Sequence, residues 1–214
     1  MVTVEVSVTG GGLGLFLVGL PDNAVKESEQ RIRSAFENSG YRMTVRKCVV
    51  NLAPADLRKE GSGFDLPIAV AILAATEQLP AEKLADALFV GELSLDGSIR
   101  GVKGVLPVAA EARAKGFSKI YVPLENAAEA AVVDGVEVYA VGSLSELVAV
   151  LNGEQELLQH MYHRIIYSVY RNSLQTSQQR QDHHIRIAMN KVSQMMDDTI
   201  TLLNVHCCIC RGNG

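Results

Sequence analysis

The stretch NLAPADLRKEGSGFDLPIAVAI, residues 51–72, sets the tightest limit on what this chain can become. The run from Ile68 to Ala75 is apolar nearly all round. A helix without a polar face has to be buried on several sides. Asp65 stands where it can cap that helix, and Pro67 falls in the first turn, where a missing N–H costs little. Residues 43–52 read as the strand before it, with Val45, Cys48, Val49, Val50 and Leu52 supplying the apolar positions. A loop dense in charge and glycine joins strand to helix. Loops held by a rigid frame are where binding and catalysis concentrate.

The flanking segments supply that frame. VTVEVSV (2–8) alternates, the period of a half-buried strand. Gly10, Gly11, Gly12 and Gly14 then form a turn into a second strand, Leu15 to Leu20. A dinucleotide-binding loop needs G-x-G-x-x-G between a strand and a helix; Leu17 stands where the third glycine belongs, and a strand follows. Asp22 or Asn23 caps an amphipathic helix with Val25, Ile32, Ala35 and Phe36 on one face, ended by Gly40. Further on come a strand over 87–95, an Asp96-Gly97 hairpin turn returning through 98–102, a helix over 105–115 and a strand over 120–122. A helix over 125–133, a strand over 136–141 and a helix over 143–151 complete the pattern, the last with Ser143 and Glu146 in capping-box spacing. Antiparallel strands first and βα alternation later predict an α/β fold, a mixed-sheet sandwich and not a doubly wound one.

Composition changes abruptly near Gly153. All prolines precede it, and all histidines, from His160 to His206, follow it. The chain therefore reads as an ordered domain at 1–153 and an atypical tail at 154–214. Sudden histidine and cysteine with loss of proline and glycine is what out-of-frame or foreign coding gives. Leu157 to Val169 and Ile185 to Ile200 carry helical spacing around a glutamine-rich run. The cluster His206-Cys207-Cys208-Ile209-Cys210, with His183 or His184, is a candidate zinc site without the spacing of a standard finger. A net charge of −4 gives no bulk signature for nucleic acid. No apolar run is long enough to span a bilayer, the first residues do not make a signal peptide, and Cys48 lies alone in a strand, so the cytoplasm is the expected compartment.

Three stretches carry a family resemblance: VGLPDNAVKESEQRIRSAF (18–36), NLAPADLRKEGSGFDLPIAVAIL (51–73) and GELSLDGSIRGVKGVLPVAAEARAKGF (91–117). Over about 2–153 the sequence resembles the N-terminal domain of the ComM/YifB family of magnesium-chelatase-like AAA+ ATPases. The resemblance implies a two-layer sandwich of the Lon-protease-domain type, shared with the second domain of a ribosomal protein. It implies ATP and Mg in the full-length family, hexameric self-association, DNA as a partner, and a role in DNA recombination and competence. It also implies a family segment ahead of Met1, and a Walker A loop beyond Gly153 where the likeness ends. No G-x-x-x-x-G-K-[ST] occurs in these 214 residues, so no cofactor is expected in this chain.

Within the motifs, Asp22, Lys26, Asn51, Asp56, Arg58, Lys59 and Asp65 are the candidates for interaction, with subunits or with DNA. Arg58 and Lys59 are expected to pair with nearby acids. No residue is assigned a catalytic role. Lon-type peptidases use a serine and a lysine. Laying Lys59-Glu60-Gly61 on their motif puts Gly63 at the serine, with Ser62 one position early. Lys103 lies three residues before the lysine's place. Ser62 with Lys59 or Lys103 is the peptidase alternative; the zinc-binding tail is the other.

Overall fold

The computed structural model describes residues 1–154, apart from 11, 13 and 45, together with 203 and 204. The chain divides into two compact units, and the described residues all lie in the one that includes Met1–Glu156. They form a mixed α/β fold of small sheets and five helices.

The first sheet has three substantial strands: β1 (Val2–Thr9), β2 (Gly14–Val18) and β3 (Lys47–Ala53). β3 lies in the middle, antiparallel to β1 and parallel to β2. The strands on either side of the glycine-rich segment 10–14 are thus not neighbours in the sheet. The two-residue strand Leu203–Asn204 runs parallel beside the start of β1. Alternation along β1 and β3 buries Val2, Val4, Val6, Cys48, Val50 and Leu52 on one face. Burial pushes the Cys48 thiol up to about 11, so it stays protonated and unreactive near neutral pH.

α1 (Asn23–Asn38) follows β2, with Asp22 as its N-cap. It turns Val25, Ile32, Ala35 and Phe36 to the core. α2 (Asp65–Ala75) is buried along its whole length to Ala74, as its uniformly apolar sequence requires. The remaining elements are β4 (Ala87–Phe89), β5 (Glu92–Leu93), β6 (Ile99–Arg100), α3 (Val105–Ala114), β7 (Lys119–Pro123), α4 (Ala127–Ala130), β8 (Glu137–Val141) and α5 (Leu144–Asn152). β4, β7 and β8 form a parallel sheet, and β5 and β6 form a short antiparallel hairpin around Gly97. Phe89, Tyr121 and Tyr139 stack across the parallel sheet at 4.9 Å between successive ring centroids. Ser143 caps α5 through Glu146 N, as its spacing predicts.

Five expected elements differ. The strand expected over 15–20 ends at Val18, because Gly19 and Leu20 turn to positive φ, and the return strand expected over 98–102 keeps only Ile99–Arg100. The strand expected over 43–52 begins at Lys47. The backbone of Arg42 pairs instead with the Gln78 side-chain amide, donating to Oε1 and accepting from Nε2 at 2.8 Å each. The strand expected over 87–95 is broken, because Val90 N donates to Tyr121 O while Gly91 N donates to Gly63 O. The helix expected over 125–133 shrinks to a 3₁₀ turn and α4. Its first side chains serve another segment: Glu125 accepts from Gly101 N, and Asn126 both accepts from Val102 N and donates to Val102 O.

Candidate functional site

The charged loop and the start of α1 are built as one unit. Asp22 joins them. One carboxylate oxygen accepts from Val25 N at 2.8 Å, satisfying a free N–H of the helix. The other accepts from Gly61 N at 3.2 Å, thirty-nine residues along the chain. Lys59 completes the connection through its backbone, donating to Leu20 O at 3.2 Å and accepting from Asp22 N at 3.0 Å.

The other candidates separate into two groups. Asn51, on the outer face of β3, donates to Glu5 of β1 at 2.7 Å. Lys26 and Asp56 are exposed. Arg58 is also exposed and pairs with Glu60 at 3.0 Å, as expected of a loop cation with acids beside it. Lys59 departs from that expectation. It is fully buried, and its amine donates to the Pro54 carbonyl rather than to a carboxylate. Desolvation lowers its pKa from the ordinary 10.5, with Asp56 pulling the other way.

That placement has a measurable consequence. A buried cation with one neutral acceptor is held at a cost, and methionine matches its length without the charge. Lys59→Met is expected to stabilise the domain by about 1 kcal/mol in urea unfolding near neutral pH. The folded-state pKa lies below the unfolded value, so the unfolded chain binds the extra proton. Wild-type stability therefore rises as pH climbs from the depressed pKa to 10.5, and the advantage of Lys59→Met shrinks over that window.

Asp65 does not cap α2 through its side chain, contrary to the sequence expectation. It lies inside the first turn, after Phe64, and makes no capping hydrogen bond. Its fully buried carboxylate instead accepts from Arg31, with Nε at 2.6 Å and a second guanidinium nitrogen at 2.9 Å. Leu93 N adds a third donor at 3.1 Å. Arg31 also donates to Ala24 O at 2.8 Å and lies 3.8 Å from Glu27. Burial pushes the Asp65 carboxyl up, while Arg31 and the Leu93 N–H draw it back; its hydrogen bond to Asp65 raises the guanidinium in turn. The bidentate fork favours Arg over Lys here.

The Ser62 hydroxyl donates to the Glu92 carboxylate. Around it, Gly91 N donates to Gly63 O at 3.2 Å and Leu66 N to Gly91 O at 3.0 Å. Lys103 is exposed on the loop before α3. Ser62 and Lys59 thus each engage a partner other than one another. Arg31 and Glu92 were not among the sequence candidates. Arg31 sits four residues from Glu27, the spacing of an ordinary solvated helix pair, and nothing local announces a contact thirty-four residues away. Among the described residues no group of three His, Cys, Asp or Glu is arranged to hold a metal ion. The proposed zinc ligands of the tail lie outside the described residues. No described helix is long and apolar enough to cross a membrane.

A module of this kind, two motif loops locked together over a buried helix, has known relatives. The family model described as subunit ChlI of Mg-chelatase matches residues 4–126, and the chain belongs to that family. It is 45% identical over 157 residues to the competence protein ComM of Haemophilus influenzae, and 47% identical over 156 residues to YifB of Escherichia coli. Each match covers 73% of this chain and 31% of the relative, so the chain spans about a third of the length of the curated relatives it matches. Lon protease 2 of Bacillus subtilis is 25% identical over 124 residues, 58% of this chain and 22% of that protein.

Proposed function

We propose that residues 1–153 are a non-catalytic accessory domain of a ComM/YifB-like AAA+ ATPase, serving oligomerisation or DNA handling in the cytoplasm. The ATP and Mg of the full-length family belong to a further domain; no Walker A pattern occurs in the sequence. We assign the two-layer sandwich of the Lon-protease-domain type to residues 1–153, and treat 154–214 as a separate, atypical tail. The competence named for ComM is the process in which such a domain would act.

The observation that carries this reading is the commitment of Ser62 to Glu92 and of the Lys59 amine to Pro54 O. A Ser/Lys peptidase needs its lysine amine within reach of the serine hydroxyl, to take its proton. The peptidase alternative draws on the Lon matches, at 25% and 26% identity. A fluorophosphonate serine probe separates the two. The expected result is no covalent labelling of the purified chain. Labelling that disappears in Ser62→Ala would establish the peptidase instead.

A further inference from the structure

We propose that the gap between β1 and β4 is a strand-acceptor slot, and that the C-terminal tail of the same chain fills it. This role for the tail is independent of the accessory function proposed above.

β1 is paired with β3 along one side, and β4 with β7 along one side. α2 packs against both β1 and β4. The two-residue strand β9 (Leu203–Asn204) runs parallel to β1 at Val2 and Thr3 and also lies alongside β4. It therefore stands between the two sheets, in the spatial order β2, β3, β1, β9, β4, β7, β8. Both of its residues belong to the same compact unit as Met1–Glu156.

The backbone of β4 requires a neighbour on the side of the slot. Val90 N donates to Tyr121 O at 3.1 Å, and Asp86 O accepts from Lys119 N at 3.3 Å. Groups that face one neighbouring strand recur at every second residue, so Leu88 also faces β7. Ala87 and Phe89 then turn their N–H and C=O groups the other way, toward the slot. Both residues are fully buried. Buried peptide groups have to be paired, and a strand running through the slot pairs them in series. Direction and sequence select the occupant. A parallel neighbour of β1 cannot come from an adjoining hairpin; it has to arrive from a distant part of the chain. The tail meets that requirement, and β9 is seated in the slot. Around β9 the sequence TLLNV, 201–205, carries no charge, proline or glycine, and its threonine and valine favour extended backbone. An uncharged segment suits a slot bordered by Val2 and Val4, which are fully buried.

Amide hydrogen exchange of the full chain, read residue by residue by NMR, tests the proposal. The expected result is slow exchange at Ala87 and Phe89 as well as at Leu88 and Val90. That protection should not change between about 50 μM and 1 mM protein, because the strand comes from the same chain. Leu203→Pro together with Asn204→Pro removes both N–H groups of β9. Exchange at Ala87 and Phe89 should then rise about tenfold or more, while Leu88 and Val90 keep their protection. A general loss of stability would instead speed all four. Thr3→Cys with Asn204→Cys serves if the proline variant does not fold. These two positions face each other, so oxidation should join them within one chain, as mapped by peptide mass spectrometry. Fast exchange at Ala87 and Phe89 in the unaltered chain overturns the proposal. So do equal acceleration at all four amides, no change on proline substitution, protection that grows with concentration, or a cross-link that forms only between chains.

Discussion

Replacing Arg31 by Met should cost the domain about 3–5 kcal/mol, read from urea unfolding, because it leaves the Asp65 carboxylate buried without its counter-ion. Asp65 is fully buried, and three donors converge on it, two of them from the one guanidinium. Methionine keeps the aliphatic bulk that Arg31 lays along α1, so the loss reports charge and hydrogen bonding rather than a cavity. The control is the double variant Arg31→Met, Asp65→Leu, in which no buried charge is orphaned. It should recover at least half of the loss, leaving mainly the unpaired Leu93 N–H, about 1–3 kcal/mol. If the double variant is as unstable as the single one, the ion pair is not what the site depends on.

Gly19→Ala should be nearly as severe. Gly19 has φ +99°, and a Cβ there would sit 2.2 Å from the carbonyl oxygen of Leu52. That neighbour is backbone in the middle of the sheet and has nowhere to retreat. Strained φ and overlap each cost about 1–3 kcal/mol, so a loss of about 3 kcal/mol is expected in thermal or urea unfolding. Gly40→Ala separates the two causes. Gly40 has φ +79°, and nothing lies within 4 Å of a Cβ placed there. It should lose only the conformational part, about 1 kcal/mol. Equal losses at the two sites would mean that the close approach of β2 to β3 is not limiting.

What the sequence disclosed and what it hid follow from the range of the interactions. α2 was legible because ten apolar or small residues in succession leave no solvent face to choose. A cap of α1 at Asp22 or Asn23, which the fold resolves to Asp22, and Ser143 with Glu146 on α5 were legible because a cap acts within three residues. The candidate site was legible as a set of segments but not as contacts. Asp65 looks like a cap from its position, and only the fold brings Arg31 within 2.6 Å of it. Lys59 looks like a surface cation among Arg58 and Glu60, yet its backbone follows the Leu20–Asp22 segment and draws its side chain inward. The strand over 87–95 failed for a similar reason. Its residues, apolar over 87–90 and alternating over 91–95, read as one strand, but Gly91 uses both backbone groups on the loop around Gly63.

The placement of β3 between β1 and β2 bears on how the chain is made. β1 and β2 are close in sequence but are not hairpin partners in the fold. Each must wait for residues 47–53, and the pairing then closes across the whole of α1. Until residues 47–53 have emerged, β1 and β2 lack the strand that lies between them in the fold, and strand edges left exposed in this way are open to competing contacts.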